Sequence, residues 1–168
     1  LALPISSMAQ EKDIKASFED FQEWGNRLEG RWVGEIKLVA DWPGLGRKAG
    51  DEIIEHVTYR WFADKHAIEE TRYGGDGESK VIHYWDAGTK QIKLLCVTSG
   101  GDHWTACIGR DGDKWPWTVK GTHKDGTKMT GSGVDVLKKD GKFTVDGDCA
   151  LDGKKLPHFR DVYKKVSK

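Results

Sequence analysis

Residues 111–153 read DGDKWPWTVKGTHKDGTKMTGSGVDVLKKDGKFTVDGDCALDG, and the punctuation of this stretch decides the fold. Asp-Gly stands at 111–112, 125–126, 140–141 and 152–153. The same pair occurs earlier at 76–77, and Gly100-Gly101 marks a further turn. Asp and Gly tolerate the positive dihedrals of the tight turns whose twist matches that of the flanking strands. Short polar-apolar runs between such turns predict an antiparallel meander.

Strand-like runs occupy Asp51–Ala63, His66–Tyr73, Lys80–Asp86, Gln91–Thr98, His103–Arg110, Lys114–Lys120, Lys128–Lys138, Lys142–Cys149 and Lys155–Val166. One more precedes them. From Trp32 to Trp42 the even positions are Trp32, Gly34, Ile36, Leu38, Ala40 and Trp42, and the odd ones are mixed, which is period two. No βαβ alternation exists, so a parallel, doubly wound nucleotide-binding sheet is excluded. A single helix is expected before the strands. Ser17-Phe18-Glu19-Asp20 has capping-box spacing, and Ile14, Phe18, Phe21 and Leu28, with Trp24 beside them, form one apolar face of a helix that Gly25 and Gly30 weaken and end. Ten strands in series would expose two sheet edges, and closing the sheet removes both. The expected fold is therefore all-β: an up-and-down antiparallel barrel of about ten strands, with one N-terminal α-helix near a mouth.

Composition agrees with a single domain over residues 13–168 of the 168-residue chain. Lys plus Arg and Asp plus Glu both number 27, which leaves no overall field to attract nucleic acid or an anionic membrane. The chain carries 21 Gly and eight Trp, too aromatic for disorder. No apolar run approaches the ~20 residues of a membrane-spanning helix. Residues 1–12 read as a signal-peptide remnant or a disordered N-terminus. The Ser7-Met8-Ala9 sequence resembles a secretory cleavage site, from which export to the periplasm or medium is expected. Cys96, Cys107 and Cys149 match no metal or haem-attachment spacing. Cys96 and Cys107 flank an expected hairpin, and buried, unreactive thiols are the expectation for all three.

Gly30-Arg31-Trp32-Val33-Gly34-Glu35-Ile36, after a short amphipathic helix, resembles the Gly-x-Trp-x-Gly start of calycin-type barrels. Lipocalins, fatty-acid-binding proteins and nitrobindins share that start. Phe18 to Val166 as a whole resembles a bacterial lipocalin-like family of unknown function, whose aromatic-Asp-x-x-Thr hairpin is similar to Tyr84-Trp85-Asp86-Ala87-Gly88-Thr89. The resemblance implies the barrel and no established activity. Nitrobindins hold haem through a His near the C-terminus, and His158 in Leu156-Pro157-His158-Phe159 occupies a comparable place. This chain departs from their pattern at Glu35-Ile36, where nitrobindins have a further small residue before more glycine.

A barrel of this size encloses a cavity, a box of large side chains, or both. The leading expectation is binding of a small hydrophobic or aromatic molecule inside it. Trp32, Tyr59, Trp61, Trp85 and Trp117 are the candidate walls, and Arg72, His83 and His103 the candidate polar anchors. Parity leaves open which faces of the second and third strands point inward. The alternative is a small-molecule isomerase, lyase or hydrolase using His, Glu and Arg in the same cavity. Its sign would be His83 or His103 paired with a carboxylate such as Glu70. A second alternative is a nitrobindin-like haem protein with His158 as ligand. No other cofactor and no metal are expected, and the chain is read as a monomer or weak homodimer.

Overall fold

A computed structural model of the chain describes residues 14–42, 44 and 46–167. The cleavage-like sequence before Gln10 lies outside the described residues, as do Pro43 and Leu45 of the loop after Trp42. Helix α1 spans Phe18–Leu28 and begins on the expected capping box. The Asp20 N–H donates to Ser17 Oγ at 3.0 Å and the Ser17 N–H to Asp20 Oδ2 at 2.8 Å. Two orphan backbone donors are thereby satisfied reciprocally.

Eleven strands follow: β1 (Gly30–Lys37), β2 (Glu52–Phe62), β3 (Ala67–Gly74), β4 (Gly77–Asp86), β5 (Gln91–Thr98), β6 (His103–Ile108), β7 (Trp115–Thr122), β8 (Lys128–Leu137), β9 (Lys142–Leu151), β10 (Lys154–Lys155) and β11 (Phe159–Ser167). Strands β1 to β9 pair in sequence order, and β11 lies between β9 and β1, so ten strands close an antiparallel barrel. The two-residue β10 only turns back on the end of β9.

The first and last strands differ most from the sequence reading. The first strand stops at Lys37, and Leu38 makes its last bonds to the segment before β2, donating to Asp51 O and accepting from the Gly50 N–H. The last run divides into β10 and β11 around Leu156–His158, where Pro157 cannot donate a ladder bond. A further Asp-Gly, at 146–147, is not a turn but lies within β9. A Cβ on Gly147 would stand 2.6 Å from the Trp117 ring, so glycine here makes room for an indole.

The end of the barrel beside α1 is filled. Phe21, Trp24, Leu28, Trp32, Trp115 and Phe143 are all buried there. Each large aromatic removes ~150–250 Å² from water, roughly 4–6 kcal/mol gross at ~25 cal/mol per Å². Gly25 does more than weaken the helix: a Cβ on it would come within 2.1 Å of the Trp61 ring and 2.7 Å of Ile68. Only glycine lets α1 approach Trp61 of β2 and Ile68 of β3 this closely. Among the described residues no helix is long and apolar enough to cross a membrane.

Candidate functional site

Barrel closure settles which side chains point inward. Val57, Tyr59, Glu70, Arg72, His83, Trp104, Ala106 and Trp117 are internal, while His56, Arg60, Thr71, Tyr84, His103 and Thr105 alternate with them on the outside. Beyond the filled end the interior is hollow, with a cavity of about 340 Å³. Trp24 forms its floor, and Lys37–Asp41 and Gly74–Glu78 its rim. Ile36, Ile53, Leu94, Val119, Phe143 and Phe159 contribute apolar wall.

The polar atoms concentrate in one cluster on β2, β3, β4, β8 and β11. Glu70 is only 1% exposed. One of its oxygens accepts from Arg72 Nε, and the other lies 2.7 Å from His83 Nε2. Burial alone would raise the Glu70 pKa, but Arg72 and His83 outweigh it and hold the carboxyl at about 2. Arg72 Nη1 also donates to Glu55 Oε2 at 3.0 Å and to the Tyr163 hydroxyl at 3.1 Å. Tyr163 in turn donates to Glu55 at 2.6 Å, closing a triangle. Burial pushes the hydroxyls of Tyr59 and Tyr163 well above the usual tyrosine range, so both stay protonated donors.

His83 and Glu70 form the histidine-carboxylate pair that an enzyme reading requires. Its valences are filled, however. Trp24 Nε1 points at His83 Nδ1 over a long 3.5 Å, Glu70 takes Nε2, and both Glu70 oxygens have partners. Each imidazole nitrogen therefore already faces a partner in the barrel interior.

Two acids near this cluster were not foreseen. Asp135 on β8 faces the cavity, and burial holds its carboxyl well above the usual range. Its Oδ1 has no hydrogen-bond partner. The Trp117 N–H lies near enough to favour the charged carboxylate but also has no partner of good geometry. Asp161 on β11 lines the cavity too, and burial followed by Glu55 raises its pKa to about 6. The sequence did carry a signal for Asp135, an acid flanked by Val134 and Val136 on a strand.

The raised Asp161 pKa makes a pH prediction. A carboxyl that binds its proton more tightly when folded contributes stability below its unfolded pKa near 4, and that contribution is lost as pH rises through about 6. Asp161→Asn should therefore gain about 2–3 kcal/mol over wild type at pH 7.5 and little at pH 4. Urea unfolding at the two pH values measures this, and an equal effect at both would contradict it. Glu70 has the opposite sign, its contribution present above pH ~4.5 and lost toward pH ~2.

At the rim, the loop after β1 lays Trp42 across the barrel. Its Nε1 donates to Asp102 Oδ2 at 2.5 Å, and its ring meets Trp104 and His123 edge-on at 5.9 and 5.8 Å. Asp102 is buried, accepts from the Lys124 N–H at 2.8 Å, and lies 3.3 Å from His123 Nδ1. Neither Asp102 nor His123 stood out in the sequence, since nothing local shows that Trp42 will reach them.

The structure places the expected site residues unevenly. Tyr59, Arg72, His83 and Trp117 line the cavity. Trp32, Trp61 and Trp85 do not. Trp32 donates to Leu28 O at 2.6 Å, Trp61 packs edge-on to Phe21 at 5.5 Å, and Trp85 donates to Ala16 O at 3.0 Å. All three serve the helix and the segment before it, which is why they are unavailable to the hollow half. His103 is exposed on the outer face of β6. His158 is also outside, its side chain 55% exposed beside Asp146 at 3.1 Å and Asp148 at 3.5 Å. An outward imidazole held by two carboxylates does not fit an axial ligand to haem in the cavity.

Cys96, Cys107 and Cys149 are all free thiols. Cys96 faces Trp104 and Cys107 faces Lys93 across the β5–β6 hairpin, so the two thiols do not meet. Burial pushes Cys96 up to about 12 and Cys149 to about 11, away from thiolate reactivity. Among the described residues, no group of three or more His, Cys, Asp or Glu is placed to hold a metal ion.

These features define a closed, helix-plugged antiparallel barrel with an internal cavity, an architecture consistent with calycin-like proteins. No protein-family model matches the chain, and comparison with curated proteins finds no match.

Proposed function

We propose that this protein binds a small, largely apolar or aromatic molecule inside the barrel, with the molecule's polar end at the cluster around Arg72 and Asp135. One observation carries the reading: the barrel is filled at the helix end and hollow at the other, with polar atoms gathered in one part of an otherwise apolar wall. A concave apolar cavity with a few convergent polar groups is the usual form of a small-molecule site, and about 340 Å³ lies within the ~300–1,000 Å³ such sites occupy. Trp24, Trp42, Trp104 and Trp117 all contact the cavity and would report an occupant directly.

The test is a panel of neutral aromatic and aliphatic compounds, with Nile red as fluorescent probe. A ligand present at about 100 times its Kd should add about 2.7 kcal/mol to stability. Such a ligand should raise the melting temperature by several degrees and alter tryptophan emission. Unchanged melting and emission across the panel, with no Nile red uptake, would sink the reading.

A further inference from the structure

We propose that the ligand of this cavity carries a basic amine, and that the Asp135 carboxylate is its counter-ion. The inference rests on the cavity being a ligand site and adds the charge of what enters.

The first argument is the charge of the wall. Four carboxyl side chains inside the barrel, Glu55, Glu70, Asp135 and Asp161, face it with one guanidinium, Arg72. The other cation on the lining, Lys37, stands at the rim with Asp41 and Glu78. Arg72 is already engaged by Glu70, Glu55 and Tyr163, and Glu70 divides its oxygens between Arg72 and His83. An anionic ligand would meet an excess of carboxylates and a cation whose bonds are committed.

The second argument is independent of that tally. Asp135 is 6% exposed, faces the cavity, and leaves Oδ1 without a partner. An unsatisfied buried polar atom costs about 1–3 kcal/mol, and native interiors seldom leave one without a reason. Such a carboxyl is satisfied by a proton or by a hydrogen-bond donor, and a cationic donor also balances its charge. Burial outweighs Arg72, which favours the charged carboxylate, Glu70 opposes that charge as well, and the nearby Trp117 N–H makes no bond of good geometry, so the existing wall does not supply the missing donor. A primary or secondary ammonium does, bringing both charge and N–H donors. The faces of Trp117 and Phe159, whose ring centroids lie 6.2 Å apart, offer the ligand's carbon skeleton an aromatic surface.

The proton balance is explicit. An ammonium that enters against a protonated Asp135 sends that proton to solvent, whereas a neutral amine takes it up, and both routes end in the same ion pair.

The experiment compares three molecules of one shape by calorimetry and by displacement of Nile red: tryptamine, the neutral propylindole and the anionic indolepropionate. Tryptamine should bind about ten- to a hundredfold tighter than propylindole, the range expected for a charge-assisted hydrogen bond in a dry site. Asp135→Asn should erase that preference, bringing tryptamine to the affinity of propylindole for the same variant. The wild-type comparison stands on its own if the variant fails to fold. Propylindole or indolepropionate binding as tightly as tryptamine would overturn the amine assignment, as would Nile red uptake with no indole bound. A preference that survives Asp135→Asn would overturn the role of Asp135. Failure of all three indoles together with Nile red would overturn the cavity reading itself, and this inference with it.

Discussion

Replacing Arg72 with Met should lower the unfolding free energy by about 3–5 kcal/mol, the cost of breaking a buried ion pair from one side. The large effect follows from what is left behind. Glu70, at 1% exposure, would keep His83 but lose its guanidinium, and Glu55 would keep only the Tyr163 hydroxyl. Lysine should not rescue the site, because one ammonium cannot reproduce the fork that reaches Glu70 through Nε and Glu55 through Nη1. The deficit should shrink toward pH 5, since without Arg72 burial would raise the Glu70 pKa and protonation would relieve the charge. Pairing Arg72→Met with Glu70→Leu should cost less than the two single changes summed, since both charges then leave the interior together. Urea titrations at pH 7 and 5 measure these terms. A deficit under about 1 kcal/mol at pH 7 would show that the cluster is solvated as exposed pairs are.

Trp24→Ala should cost a comparable amount, about 3–5 kcal/mol, for a different reason. Trp24 joins the plug to the cavity: its ring lies 4.9 Å from that of Trp115 and 6.2 Å from that of Phe143, and it forms the floor of the hollow half. Removing it leaves a void that the stiff barrel wall cannot close. The variant should therefore admit longer apolar molecules than wild type does, while melting at lower temperature. Trp24→Phe should retain most of the packing and lose only the long contact to His83. A variant that loses stability without a change in the size of ligand accepted would show that Trp24 packs the plug and does not bound the site.

Much of the barrel was legible before any coordinate. The turns after β3, β6, β7, β8 and β9 sit at or beside Asp-Gly pairs, where positive dihedrals are local properties of the residues that hold them, whereas those after β2, β4 and β5 carry no such pair. Gly126, Gly141 and the Asp152-Gly153 pair all adopt the left-handed conformation. The capping box at Ser17 was legible for the same reason, since its donors and acceptors lie within four residues. The site was legible only in part. Arg72, His83, Tyr59 and Trp117 emerged as candidates from residue type and alternation. Trp32, Trp61 and Trp85 shared those attributes yet went to the helix. Asp161 and Tyr163 share one face of β11, but their partners are on β2 and β3, far away in the chain.

The sequence by itself determined the antiparallel, closed, helix-led architecture, because period-two alternation and turn chemistry are encoded over spans of a few residues. It also set aside a whole-molecule electrostatic attraction, since charge is a sum over residues that needs no geometry. Only the tertiary structure decided which face of each strand looks inward, because a mixed strand has no local preference and its parity is set by register with neighbours. It decided as well that α1 fills one half of the barrel and leaves the other hollow, through the missing side chain of Gly25. The inner cluster around Arg72 exists because closure brings β2, β3, β4 and β11 around a common interior, where low dielectric makes each pairing consequential.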